Sequence, residues 1–182
     1  MTAALETSDV WAVVAVRGSI AVATAAWAAA EYLRWRAPAR FAAFRALWSS
    51  GVLLLIGHAI AVFHFIHGWS HAAALAHTAR QTAAFTGFNW PWGLYINYGF
   101  IALWLLDCAW SWWDSDSYQR GSRTVGDWRL GVFLFMFVNG AVIFAPWPAR
   151  VLGITAVMAV IWSRWTAVPN RPRFSAASRP SA

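Results

Sequence analysis

The chain predicts an all-α, polytopic integral membrane bundle of about five transmembrane helices, and three observations carry that expectation. Sixty per cent of its 182 residues are hydrophobic and only 12% are charged, whereas a soluble domain holds about 25% charged residues. Mean hydropathy is +0.48. Apolar runs recur along the whole length, with arginines gathered at their ends.

Each span follows from its run. Val10 to Leu33, Phe44 to Ile66 and Trp92 to Trp113 reach the roughly 20 residues that cross a hydrocarbon core. Leu130 to Phe144 and Val151 to Trp165 are shorter and depend on tilt or local bilayer thinning. Ala145, Pro146, Trp147 and Pro148 turn one into the other, because proline ends helices and biases the residue before it away from helical geometry. Between spans two and three, residues 72–92 read as a short interfacial helix. Leu75, Thr82 and Phe85 give it an apolar face, and Phe88, Trp90 and Trp92 seat its end among the headgroups. Residues 168–182, with three prolines and three serines, read as a disordered cytoplasmic tail, leaving 1–167 as the transmembrane domain.

Arginine placement sets the orientation. With the N-terminus outside and the C-terminus inside, five spans leave Arg17, Arg80 and Arg150 outside and the other eleven of the fourteen basic residues inside. That bias satisfies the positive-inside rule for a multi-pass protein of a bacterial-type inner (plasma) membrane. The competing reading is a cleaved signal peptide ending at Ala28, Ala29 and Ala30. It exports the arginine-rich stretch after Leu33, against the same rule.

Composition also excludes. Lysine is absent, which removes any cofactor held as a lysine Schiff base. The basic charge flanks apolar runs and so anchors topology, which argues against nucleic-acid binding. A single cysteine, Cys108, supports no disulfide framework and no covalent haem attachment. HExxH, GxSxG and the Gly-rich nucleotide-binding signatures are missing.

The five histidines all fall between His58 and His77. At about 100° per residue, His64, His67 and His71 lie on one helical face, provided the helix continues past Gly68. Such a tripod suits a transition metal (copper, iron or zinc) with His77 as a further ligand. Haem b is the alternative cofactor, since His58 and His71, like His64 and His77, are thirteen residues apart. Because no other helix carries a histidine, a homo-oligomer or a larger membrane complex is then needed to complete the axial pair. A pH-responsive surface without a cofactor is the third use. HFIHGWSH resembles the HxxH and HxxxH pieces of membrane di-iron hydroxylases and desaturases over His64, His67 and His71, although that family uses more histidines than this chain has. His58 and His71 also resemble, in their spacing, the paired histidines of the copper site in membrane-bound methane and ammonia monooxygenases. The aspartate of that site has no counterpart here.

The remaining polar residues are placed by depth. Tyr95, Asn97 and Tyr98 fall level with His64 and His67, and Asn139 level with His58. Tyr95, Asn97 and Asn139 are therefore expected to orient the metal ligands. Glu31 and Asp107 lie in the inner half as a proton path toward the histidines. Glu31 has Arg34 three residues on as an ion-pair partner, and Arg34 or Arg36 is expected to reach Asp107. The function these residues predict is transition-metal binding at the outer face, for redox or metal-handling chemistry. The alternatives are a b-type haem electron-transfer subunit and a non-catalytic accessory subunit.

Overall fold

The computed structural model describes residues 10–147 and 149–167, and among them every regular element is helical. Helix α1, Val10–Arg36, contains a π-helical turn at Val14–Gly18. It ends where Pro38 forces Ala37 out of helical geometry (φ −139°, ψ 57°). After a 3-10 turn at Pro38–Arg40 come α2 (Phe41–Phe65), α3 (His71–Thr86) and α4 (Gly93–Trp113). The short α5 (Ser115–Arg120) leads to α6 (Arg123–Phe137), continued by π-helical Val138–Ile143. Helix α7 is Ala149–Trp165. Residues 1–9 and the tail 168–182 lie outside the described residues, as does Pro148 of the expected turn.

Three helices are long and apolar enough to cross a membrane: Val10–Arg36, Pro38–Phe65 and Thr124–Ile143. The third differs from expectation. Its apolar run begins at Leu130, but the helix starts at Arg123 because Ser122 caps it, its hydroxyl accepting from Val125 N at 3.2 Å. That adds two turns and brings Arg129 inside the helix. Conversely, α4 has the length of a span but is diluted by Asn97, Asp107 and four tryptophans. Helix α7 has only 17 residues.

The core is aromatic. Trp27 of α1 stacks on Phe137 of α6 with ring centroids 4.1 Å apart. Trp48 of α2 meets Phe133 at 4.8 Å and Trp104 of α4 at 5.2 Å. Apolar burial drives helix association weakly within lipid, so such close van der Waals packing carries more of the weight. The buried Thr24, Ser111 and Ser163 hydroxyls turn back on their own helices, to Ile20 O (2.7 Å), Cys108 O (2.7 Å) and Val160 O (2.8 Å). The two buried charged residues, Glu31 and Arg129, matter below.

Helix α7 folds back along the π-helical end of α6, and the closest approach is at Gly153. A Cβ there would lie 2.1 Å from Ala141 O and 2.6 Å from its carbonyl carbon. Backbone cannot yield that distance. Gly153→Ala is expected to separate α6 from α7 and to cost about 3 kcal/mol or more. Gly57→Ala, whose Cβ would meet nothing within 4 Å, is expected to be neutral. Thermal unfolding of the two variants side by side checks the contrast.

Candidate functional site

The histidine segment begins with a helix end. Helix α2 stops at Phe65 and Gly68 and Trp69 take positive φ (54° and 60°), a left-handed conformation that costs a non-glycine residue roughly 1–2 kcal/mol. The turn holds because Trp69 N donates to Phe63 O (2.9 Å) and the Trp69 indole to His64 Nδ1 (3.1 Å). Ser70 then caps α3, its hydroxyl accepting from Ala73 N at 3.2 Å.

This reversal corrects the expected tripod. The helix does not continue past Gly68, so His64, His67 and His71 do not share a face. His64 is exposed and paired with Trp69. His71, at the start of α3, lies against Tyr95 and Tyr98 of α4, with ring centroids at 5.7 and 6.1 Å. The break does bring His67 against His77, ring centroids 5.2 Å apart at 62°. No group of three or more metal-ligating side chains converges among the described residues.

His58 is used differently again. His58 Nδ1 engages the π-helical turn of α1: Val16 O lies at 2.9 Å, with Ser19 Oγ at 3.4 Å. One imidazole thereby bolts α2 to α1. His58 and His71 also stand on different helices, so their spacing does not place them two levels along one helix. The residues expected to orient a metal ligand are likewise engaged elsewhere. Asn139 donates to Phe135 O on its own helix (2.7 Å). Asn97 is exposed and hydrogen-bonds none of the imidazoles. Tyr95 keeps a ring contact with His71.

The opposite end of the bundle holds a buried ionic cluster built from four elements. Glu31 of α1 is completely buried and Arg129 of α6 is 7% exposed. Arg129 lies between two acids, with Nη1 3.4 Å from Asp107 Oδ1 and Nη2 4.0 Å from Glu31 Oε1. Tyr118 of α5 closes the cluster. Its hydroxyl donates to Asp107 Oδ2 (2.8 Å) and accepts from both Arg34 Nη1 (3.0 Å) and Arg129 Nη1. A hydroxyl has one donor and two acceptor sites, and all three are used. Burial pushes the Tyr118 hydroxyl's pKa up, so it stays a donor to Asp107. Glu31 Oε2 accepts from the Trp35 indole (2.9 Å). Glu31 Oε1 and Arg129 Nε and Nη2 make no hydrogen bond.

Arg129 and Tyr118 were not among the expected site residues. Arg129 immediately precedes the apolar run and reads as a topological charge. The signal for it is indirect: two intramembrane acids require a cation at their own depth. Arg34 reaches Asp107 only through Tyr118. Arg36, the other expected partner, instead donates to Thr166 O (2.9 Å) and Thr166 Oγ1 (2.8 Å). Trp27, Trp48, Trp104, Phe133 and Phe137 belong to the buried core that packs beside this cluster.

Outside the spans, His67 and His77 have a shared electrostatic signature. Burial lowers both pKa values from 6.5, and the nearby Arg80 charge, with His77 also acting on His67, adds to the shift. The unfolded chain therefore binds more protons than the folded one as pH falls through about 6.5, and stability rises with pH across that window. Acidification below about pH 6 should loosen α3 from its contacts, seen as faster amide hydrogen exchange over 71–86. His77→Ala should flatten that pH dependence.

Compared with protein families, curated proteins and solved structures, the chain matches none.

Proposed function

We propose that this chain is a five-span integral membrane protein of a bacterial-type inner membrane, N-terminus outside, whose working centre is the buried Glu31–Arg129–Asp107 cluster, a site that takes up and releases a proton. The three long apolar helices and the arginine asymmetry support the membrane assignment. Helices α4 and α7 complete the count of five, α4 by its length of about 31 Å and α7 by tilt or thinning.

One observation carries the proton reading. Arg129 lies between two carboxylates, and Glu31 Oε1, completely buried, has no donor within hydrogen-bond distance. Intramembrane acids that face the bundle interior are expensive to maintain and mark proton or ion sites. With Arg34, Arg129, Glu31 and Asp107 all ionised, the cluster carries no net charge. A proton on Glu31 Oε1 gives that oxygen a donor and shifts the Arg129 charge wholly onto Asp107. Tyr118 joins the two acids' partners and keeps Asp107 fixed through the exchange.

Infrared difference spectra of the protein in lipid bilayers, recorded while pH is stepped across the neutral range, should show a protonated-carboxyl band. Glu31→Gln should remove it, and Asp107→Asn should move its midpoint because Arg129 then answers to one acid alone. No titrating carboxyl band in the native chain overturns the reading.

The contact of His67 with His77 favours a second reading, transition-metal binding at the outer face. Two imidazoles are half of a tetrahedral site, so the remaining donors would come from a second copy or a partner subunit. Purified protein should then retain copper, iron or zinc at about one ion per two chains in a homodimer, and His67→Ala with His77→Ala should abolish it. A chain that retains no metal and shows no Soret band excludes both the metal and the haem b forms of this reading.

A further inference from the structure

The arginine-rich end of the bundle holds more guanidinium groups than carboxylates. Most of the arginines there are engaged: Arg34 and Arg129 at Tyr118, Arg36 at Thr166, and Arg164 with Asp127 at 2.9 Å. Of the remaining acids, Asp114 caps α5, accepting from Ser117 N (2.9 Å), and Asp116 stands one turn before Arg120 on the same helix. Two cations are left over. Arg40, immediately before α2, and Arg45, in its second turn, pair with no carboxylate among the described residues.

Arg45 is held in place by aromatic rings. Its guanidinium lies 4.4 Å from the ring centroid of Trp112, at the end of α4, and 5.2 Å from that of Phe41. Trp112 is itself fixed, its indole donating to Ser49 Oγ at 2.9 Å. Arg45 Nε is buried, but Nη1 and Nη2 are neither hydrogen-bonded nor buried, so both remain free to donate outward. Arg40 is exposed, and Trp112 and Trp113 are 55% and 92% exposed. Exposed indoles at the end of a membrane helix sit at headgroup depth, which puts these donors at the level of lipid phosphates. A guanidinium suits a phosphate because its N–H fork matches two oxygens. A zwitterionic head brings a cation of its own back to the same two arginines, whereas an anionic head does not.

We infer that the start of α2, with the end of α4 beside it, binds the phosphate of an anionic glycerophospholipid in the leaflet on this side. The inference goes beyond the proton site, whose Glu31, Asp107 and Arg129 take no part in it.

Native mass spectrometry of the purified chain in detergent, titrated with palmitoyl-oleoyl phosphatidylglycerol or with phosphatidylcholine of the same chains, tests it. One phosphatidylglycerol should be retained at concentrations where phosphatidylcholine is not. Arg40→Gln and Arg45→Gln should each weaken retention about fivefold, the factor for one arginine beside anionic lipid. Arg45→Lys, which keeps the charge without the fork, should fall between the native chain and Arg45→Gln. Arg40 is exposed, so the Arg40→Gln result stands whether or not Arg45→Gln folds. Arg17→Gln, an exposed arginine at the other end of α1, should change nothing. Equal retention of the two lipids overturns the inference, as does a loss from Arg17→Gln as large as that from Arg40→Gln. Excess glycerol 3-phosphate should leave the lipid bound, and displacement by it marks a site for free phosphate esters and overturns the lipid assignment.

Discussion

The position of Arg129 is the constraint on which the bundle depends. Moving a guanidinium out of water costs several kcal/mol even after relaxation, and only close, well-placed counter-charges offset it. Here they come from different helices: Asp107 from α4 and Glu31 from α1, with the Tyr118 hydroxyl from α5 between them. Each of these elements is therefore fixed relative to α6 by a contact that apolar packing in lipid cannot supply. The aromatic layer above the cluster adds shape, with Trp27 on Phe137 and Trp48 on Phe133. It contributes little that would choose one helix rotation over another, because aromatic contacts tolerate a range of geometries. Directional charge pairing makes that choice.

The other end of the molecule is held by a different device. Within lipid a carbonyl in irregular helix must find its partners in the protein. At the π-helical turn of α1 those of Val16 O include the Ser19 hydroxyl (3.3 Å) and, from α2, His58 Nδ1 (2.9 Å). The same economy governs α6, where Asn139 bonds Phe135 O at the start of the second π-helical segment, and Arg150 of α7 donates to Ala145 O (3.1 Å) beyond its end. Irregular helix is tolerated at both places because a polar side chain stands ready beside it.

Much of this architecture was legible in the sequence, and the limits have physical causes. The helical membrane class followed from composition, and the α3 segment from its modest apolar face and flanking aromatics. The α6–α7 reversal followed from the prolines. Depth placed Glu31 and Asp107 in the inner half, and both lie against Arg129. The histidine tripod failed at one residue. Periodicity assumes an unbroken helix, and whether Gly68 breaks it depends on Trp69 accepting a left-handed backbone, which its indole and amide bonds to His64 and Phe63 make affordable. Those are tertiary facts that no spacing encodes. Arg129 was hidden for a related reason. Its helix begins before the apolar run does, so hydropathy drew the boundary at Leu130 and left the arginine in a loop.

The contrast between the two ends decides where chemistry belongs. At the histidine end, His58 and His64 have nearby hydrogen-bond partners, and His67, His71 and His77 have ring neighbours. Three of these five imidazoles lie beyond the end of α2, where water is at hand. At the arginine end, a completely buried carboxylate oxygen and two guanidinium nitrogens go without hydrogen bonds in a region that water does not reach. Buried polar atoms left unpaired are rare in native proteins because each costs about 1–3 kcal/mol, more when charged. A fold whose only aim was to hold its helices together would gain by replacing Glu31 and Arg129 with packed apolar groups of similar volume. Keeping them, incompletely satisfied, makes sense for a site that exchanges a proton there.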